Sequence, residues 1–261
     1  MADTISVSFG MLMLAMAAAG FAGFIDSICG GGGLVTLPAY LVAGIPPHNA
    51  YAVNKFAAVT GTTFATINYF KGGAMDVKMA IIAAGGSFIG SAIAAQIVMM
   101  LSDAALKMLV LIAVPLVAVI IFSQRHKEDI NQVEDGISAK KVILALVIGM
   151  IVGGYDGLIG PGTGTFAIIA FSSIMKYDIL TAGGNAKVLN LASNAAALVT
   201  FLFHGLVVFK IAIPCAISTF VGTQIGSKMA LKGGANFIRP MMMFVVVLML
   251  LKLGYDTFIA V

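Results

Sequence analysis

Long apolar runs separated by short polar breaks dominate this chain and predict membrane-spanning helices. In the first half we expect apolar segments at 5–28, 34–43, 49–70, 77–101 and 104–122. The second half repeats the order at 139–159, 164–175, 181–203, 208–231 and 238–258. A helix needs about 20 residues to cross the hydrocarbon core of a bilayer. The pattern therefore predicts an all-α, polytopic integral membrane protein.

The second apolar segment of each half is too short to cross a bilayer as a simple helix. Residues 34–43 extend about 15 Å when helical, which is half of the hydrocarbon thickness. Backbone groups that face lipid without partners are costly, so the ends of such a segment have to be buried in protein or water. The sequence leaves open whether 34–43 and 164–175 cross the membrane or re-enter it.

The two halves of the chain are copies of one another. At an offset of 130, Asp26 corresponds to Asp156 and the glycine break that follows is repeated. After a two-residue insertion the offset is 132, and Lys55 corresponds to Lys187. Duplicated halves with broken helices are typical of secondary transporters, in which the two repeats are often inverted. We therefore predict two inverted repeats, each with a half-helix broken by glycines.

Charge divides the chain into a first transmembrane repeat (1–123), a linker (124–138) and a second repeat (139–261). The stretch 123–141 holds 8 of the 26 charged residues, as expected of an exposed connector. If the short segments cross, ten lysines and arginines lie in the loops on the side of the linker and three on the other side. The more basic side is usually cytoplasmic. We therefore expect a cytoplasmic linker and both termini outside.

Composition supports the membrane class and argues against several others. The chain is 60% apolar and 10% charged, with a mean hydropathy of +1.06, whereas soluble domains are about 25% charged. The net charge of +4 comes without a basic patch interleaved with aromatic residues, so nucleic acid is not an expected partner. Cys29 and Cys215 lack the spacing of metal ligands. We expect neither a metal site nor a cofactor.

Two glycine-rich loops are candidates for anion binding because each precedes a half-helix. A helix start exposes unpaired N–H groups and the positive end of the helix dipole. No Gly-Lys-Ser/Thr follows either loop, which argues against a nucleotide-binding loop. The alternative is that the glycines only allow close helix packing. The candidate residues are Gly31, Gly32, Gly33, Gly162, Thr163 and Gly164.

Lys55 and Lys187 each lie five or six residues inside an apolar segment. An ionisable group within a membrane span is expensive and usually faces a cavity or a charged partner. The alternative is a lysine close enough to the boundary for its ammonium to reach water. The symmetric placement in both halves favours the cavity.

Uncharged polar residues accompany these lysines and share their helices. They are Asn54 in the first half, and Asn190, Ser193 and Asn194 in the second. Positions 190 and 194 share one helix face, within one turn of Lys187. These side chains would either complete a pocket for a small oxyanion or hydrogen-bond neighbouring helices together.

Three roles are open for the acidic pair Asp26 and Asp156. The carboxylates could pair with the lysines, carry a proton during transport, or lie at a wet helix end without a special role. A different class of function, an intramembrane aspartyl protease, would have two carboxylates share a proton and activate water. Such a site needs its second aspartate after Gly-x-Gly, which neither residue has. We therefore do not expect an enzyme.

Four strings in both halves, 23–55, 153–166, 185–205 and 238–240, resemble the TauE/SafE family of sulfite-exporter-like membrane proteins. The resemblance covers nearly the whole chain apart from the linker. It implies a polytopic inner-membrane carrier that moves small sulfur-containing or carboxylate anions out of the cell. The second repeat departs from the family's commoner glycine triplet, with Gly-Pro-Gly-Thr-Gly at 160–164.

These features together predict a secondary transporter that exports small anions such as sulfite, organosulfonates or related carboxylates by alternating access. The alternative within transport is an anion channel, which would give single-channel currents and no accumulation against a gradient. The expected partners are the small anion and the lipid bilayer. The oligomeric state stays open, and a homo-oligomer is allowed.

Overall fold

The computed structural model describes residues 5–106, 108–109 and 138–258. The predicted segment 104–122 lies largely outside these residues, and so does nearly all of the linker 124–138. The predicted boundaries between the repeats and the linker therefore stay predictions.

Four complete helices lie in the described part of the first half, where residues 103–106 and 108–109 are helical as well. Local signals in the sequence set the helix starts. The hydroxyl of Ser8 accepts the Met11 N–H at the start of the first helix. The carboxylate of Asp76 accepts the Lys78 and Met79 N–H groups at the start of the fourth, as capping residues commonly do. The helices are α1 (Phe9–Cys29), α2 (Gly33–Val42), α3 (Pro47–Lys71) and α4 (Val77–Met100).

The second half has its helices in the same order, with a π-helical turn added to its second helix and a kink in its fourth. Its helices are α5 (Ala139–Leu158), α6 (Thr163–Ile169) with a π-helical turn (Ala170–Ile174), α7 (Ile179–Phe203) and α8 (Phe209–Phe258). Helix α8 is interrupted at Gly234, which has φ 54° and ψ −146°. Such a conformation strongly favours glycine because a Cβ would clash there. The kink lies between the predicted segments 208–231 and 238–258.

The described residues contain no strand, and five helices are long and apolar enough to cross a membrane: α1, α4, α5, α7 and the first part of α8. Large apolar side chains are exposed along their outer faces, as at Ile93, Ile151 and Ile217. Apolar surface on this scale is expected of a protein surrounded by lipid. The structure thus confirms the predicted all-α, multi-span class. The inverted orientation of the repeats remains a prediction.

The long helices of each half pack against helices of the other half. The first helix of each half packs along the fourth helix of the other half, so that α1 lies against α8 and α5 against α4. The third helices α3 and α7 contact each other and also the fourth helix of the opposite half. The interior of the molecule is therefore built from both halves together.

Glycines at equivalent positions let these helix pairs approach closely. A Cβ added to Gly23 of α1 would overlap the backbone of Thr219 on α8. Its counterpart Gly153 on α5 has the same relation to the backbone of Ser87 on α4. Small residues at such crossings bring backbones into contact, which is a common means of helix association in membranes.

We expect Gly86→Ala to destabilise the protein, because the new Cβ would overlap the carbonyl oxygen of Leu146 on α5. Overpacking of this kind costs about 1–3 kcal/mol. The neighbouring Gly85→Ala is the matched control, because Gly85 is exposed and no atom lies within 4 Å of its added Cβ. Thermal unfolding in detergent should show a lower melting temperature for Gly86→Ala alone. Equal melting temperatures for the two variants would contradict the close α4–α5 contact.

Candidate functional site

A cavity lies between the two halves, beside the breaks that precede α2 and α6. Its volume of about 40 Å³ has room for about three water molecules. The first half contributes the side chain of Asp26 from α1, Thr36 from α2 and Asn54 from α3, together with Gly33 and Gly61.

The second half contributes most of the other polar groups around the cavity. They are Asp156 of α5, Thr163 of α6, Asn190 and Asn194 of α7, and Thr219 and Thr223 of α8. Six of the candidates named from the sequence for substrate binding thus lie in the wall: Gly32, Gly33, Asn54, Thr163, Asn190 and Asn194. The proton-carrying candidates Asp26 and Asp156 lie there too. Lys55, Lys187, Ser193, Gly31, Gly162 and Gly164 do not line the cavity.

The two glycine loops meet at the cavity. A Cβ on either Gly30 or Gly164 would overlap the backbone of the other residue. The hydroxyl of Thr165 donates a hydrogen bond to the carbonyl oxygen of Cys29 across the same junction, at 2.9 Å. The two glycine loops, one from each half, are therefore in direct contact.

The start of α2 presents a backbone amide to the cavity. The N-cap residue of α2 is Gly32, and no side chain caps the helix. Gly33 lines the cavity, and within the described ranges no acceptor is found for its N–H. An uncapped helix start concentrates unpaired donors and positive potential. This corner of the cavity therefore suits a negatively charged group.

A buried ion pair joins the halves beside the cavity. Lys55 is 1% exposed, and its Nζ lies 2.8 Å from Asp156 Oδ2. The same Nζ donates to the main-chain carbonyl of Asp156 at 2.8 Å and to Asn194 Oδ1 at 2.9 Å. Two buried charges are stable only when they are paired and when further hydrogen bonds satisfy them. All three donor positions of this lysine are used.

The carboxylate of Asp156 is held by donors on both oxygens. Besides Lys55, the hydroxyl of Ser193 donates to its Oδ2 at 2.7 Å. The hydroxyl of Thr163 lies 2.9 Å from its Oδ1 and 2.6 Å from the carbonyl oxygen of Gly160, and the two acceptors share its one hydrogen. Ser193 therefore bonds to Asp156 and does not itself line the cavity.

The equivalent lysine of the second half has a different environment. Lys187 is fully buried, and its Nζ donates to the main-chain carbonyl of Asp26. In the part of the chain that the structure describes, no carboxylate oxygen lies within 4.0 Å of this ammonium group. The carboxylate of Asp26 instead accepts the N–H of Gly32 at 3.2 Å. Lys187 thus lies buried behind Asp26 without a paired carboxylate.

The difference between the two aspartates follows from two substitutions between the repeats. At the repeat offsets, Gly33 stands where the second half has Thr163, and Gly61 stands where it has Ser193. Both hydroxyl groups that hold Asp156 are therefore absent around Asp26, and both glycines line the cavity. Asp156 therefore has two hydroxyl groups beside its carboxylate, whereas Asp26 has glycines at the equivalent positions.

The asparagines of the wall differ in how fully they are bonded. Asn54 Oδ1 accepts the hydroxyl of Thr36 at 2.6 Å, and Asn194 Oδ1 accepts Lys55. Asn190 Oδ1 is buried and has no hydrogen-bond partner within the described residues. Buried polar atoms are rarely left unpaired without a reason. The Asn190 oxygen is thus an unsatisfied acceptor next to the cavity wall.

Sequence reasoning missed Thr36, Thr219 and Thr223. The hydroxyls of Thr219 and Thr223 donate to carbonyl oxygens of α1 at 3.2 and 3.3 Å. Their spacing of four residues puts them on one helix face, beside the glycines at which α8 contacts α1. That pairing of hydroxyls with packing glycines was a usable signal. Thr36 had none, because a lone threonine in an apolar helix is common.

The TauE/SafE sulfite exporter family profile matches residues 15–253. The chain belongs to the TauE/SafE family. This assignment confirms the resemblance found in the motifs. It also agrees with the helical, multi-span architecture, so the protein is a multi-pass membrane transporter.

Curated relatives align with this TauE/SafE protein over nearly their whole length. A probable membrane transporter protein of Sinorhizobium, ORF9, is 34% identical over 96% of this chain and 95% of its own. YfcA of Escherichia coli K12, a probable membrane transporter, is 34% identical over 90% of this chain and 87% of its own. A Haemophilus influenzae probable membrane transporter is 30% identical, with coverages of 90% and 91%. No solved structure matches the chain.

We expect Lys55→Met to lower the free energy of unfolding by about 3–5 kcal/mol, because it leaves a buried carboxylate without its cation. The double variant Lys55→Met/Asp156→Leu should regain much of that loss, because neither charge is then buried. Asp103→Asn is the control. It breaks the His48–Asp103 contact, where the aspartate side chain is 56% exposed, and should cost less than about 1 kcal/mol.

Thermal unfolding of the four proteins in detergent checks this prediction. A Lys55→Met variant as stable as Asp103→Asn would show that the pair does not hold the halves together. A double variant less stable than Lys55→Met would show that the charges are needed for another reason.

Proposed function

We propose that this transporter exports small anions, such as sulfite, organosulfonates or related carboxylates, across the inner membrane by alternating access. The observation that supports this most is the cavity between the two halves. It combines an uncapped helix start, amide side chains and a nearby buried lysine that has no paired carboxylate. Each of these features favours a negatively charged guest.

The donors around the cavity suit an oxyanion. The Gly33 N–H belongs to the first turn of α2, and Gly33 lines the cavity. Asn194 uses its oxygen for Lys55, which leaves its NH₂ group available to a guest. Lys187 lies behind Asp26 and donates to the main-chain carbonyl of that residue. Donors fixed by a protein in a site with little water bind an anion more strongly than the same groups in water.

The small volume supports the choice of substrate class. A space for about three water molecules is enough for sulfite, a short sulfonate or a short carboxylate. The family's description names sulfite, so sulfite belongs first in any panel of substrates.

Alternating access is the mechanism most compatible with the exchange of helix contacts between the halves. The cavity borders both halves, and the pairs α1–α8 and α4–α5 each combine one helix of either half. Rocking of these units about the cavity would open it to one side and then to the other. On the asymmetry of basic residues, we infer that the linker faces the cytoplasm and both termini face outwards.

We expect Gly33→Ala to lower anion flux about tenfold, because a methyl group would intrude where the anion contacts the helix start. That change corresponds to about 1.4 kcal/mol, roughly the contribution of one hydrogen bond. The added Cβ would lie 3.5 Å or more from its neighbours, so the fold should tolerate it. Gly154→Ala is the matched control: its nearest contact is also ordinary, at 3.7 Å, but it is remote from the cavity wall.

The measurement is uptake into proteoliposomes of labelled sulfite, methanesulfonate and acetate by the parent protein, Gly33→Ala, Gly154→Ala and Lys187→Met. Lys187→Met should lose most of the flux, because the amine that bonds to the main chain of Asp26 behind the cavity wall is removed. Parent-like flux in both Gly33→Ala and Lys187→Met would contradict the proposed anion site. Counterflow should give transient accumulation of label, and flux that never accumulates would indicate a channel.

A further inference from the structure

We propose that Asp26 carries a proton that moves together with the anion, and that Asp156 does not. This inference rests on the proposed function and assigns its coupling ion. The sequence treats the two aspartates as equals, but the structure gives them different partners.

Asp156 has the bonding of a permanent anion. Its carboxylate is 2.8 Å from the ammonium of Lys55 and accepts the hydroxyls of Ser193 and Thr163. Protonation would cost an ion pair and at least one charge-assisted hydrogen bond. It would also leave Lys55 as a buried cation without a counter-ion. We therefore assign the moving proton to the other aspartate.

Asp26 has the environment of a carboxylate that can change its charge. It lines the cavity, is only partly buried, and accepts one hydrogen bond, from the Gly32 N–H at 3.2 Å. No cation pairs with it within the ranges that the structure describes. A proton arriving through the cavity would reach its free Oδ2 without breaking an ion pair.

Asp156 is the other ionisable residue that lines the cavity within the described part of the chain, and it is paired with Lys55. The remaining ionisable groups near Asp26 lie outside the cavity wall. Helix α7 provides Lys187, which contacts the main-chain carbonyl of Asp26. Helix α5 provides Asp156, which is neutralised by Lys55 of α3. Cys29 of α1 is buried, and Tyr69 of α3 donates to the carbonyl of Ser27. The described cavity residues of α2 and α8 carry no charge.

Charge balance then couples the proton to the anion. The Lys55–Asp156 pair is neutral by itself, whereas an ionised Asp26 adds a negative charge to the cavity wall. A monoanion bound beside an ionised Asp26 puts two negative charges close together, which a site of low dielectric constant disfavours. Protonation of Asp26 forms an O–H bond and removes the carboxylate charge that repels the guest. The proton dissociates on the other side together with the anion, which regenerates the carboxylate.

This scheme makes transport an electroneutral symport of one proton and one monoanion. The direction of net flux then follows the combined gradients of the anion and the proton. A cell that produces the anion inside exports it down the anion's own concentration gradient, and a proton leaves with it.

The test follows proton and anion movement together in proteoliposomes that contain a trapped pH-sensitive dye. The probe is methanesulfonate, which stays ionised and therefore cannot carry the proton itself. Inward methanesulfonate gradients should acidify the interior through the parent protein, with one proton for each anion. In Asp26→Asn, net anion entry should bring no protons, and exchange of labelled for unlabelled methanesulfonate should lose its pH dependence.

Asp178→Asn is the matched control, because this carboxylate caps α7 away from the cavity and asparagine caps as well as aspartate. It should keep the proton-to-anion ratio of the parent protein. Exchange measured in Asp26→Asn shows that the variant is folded and inserted.

Methanesulfonate flux through the parent protein without acidification would overturn the proton assignment but leave the proposed transport intact. An unchanged proton-to-anion ratio in Asp26→Asn would overturn the role of Asp26. If none of sulfite, methanesulfonate and acetate is transported by the parent protein, the proposed function fails, and this inference fails with it.

Discussion

The ion pair between Lys55 and Asp156 is the contact on which the rest of the site depends. It joins α3 of one half to α5 of the other, and Asn194 extends it to α7. Two charges in an apolar interior are tolerated only with well-placed partners, so the pair specifies how the halves dock. It also positions the second glycine loop, because the hydroxyl of Thr163 at the start of α6 bonds to the same carboxylate.

Close backbone contact supports this arrangement from both sides. Glycines on α1 and α5 meet the backbones of α8 and α4, and threonine hydroxyls of α8 bond to carbonyls of α1. The backbones touch at these helix crossings, whereas a small polar cavity lies at the centre. A tightly packed periphery around a central cavity is compatible with the proposed rocking of the pairs α1–α8 and α4–α5 as units.

Much of the fold could be predicted from the sequence. The predicted segment 77–101 corresponds to α4 and 139–159 to α5 within a residue at each end, because capping residues and glycines punctuate long apolar runs. The short segments after the glycine loops are helices as expected. For the site, Asn54, Asn190, Asn194 and both aspartates lie in the cavity wall. The buried lysines lie behind it, which residue type and spacing alone could not indicate.

The sequence by itself determined the membrane-spanning helices, the duplicated motif and the family, since all of these depend on local composition and on order along the chain. Only the tertiary structure decided which charge meets which. Lys55 and Asp156 are 101 positions apart, and Asp26 and Asp156 occupy matching places in the two repeats. Their different surroundings arise from Gly33 and Gly61 opposite Thr163 and Ser193. Whether a carboxylate is ion-paired or has an unbonded oxygen depends on distances of about 3 Å between side chains. Only the packing of helices that are distant in sequence sets those distances.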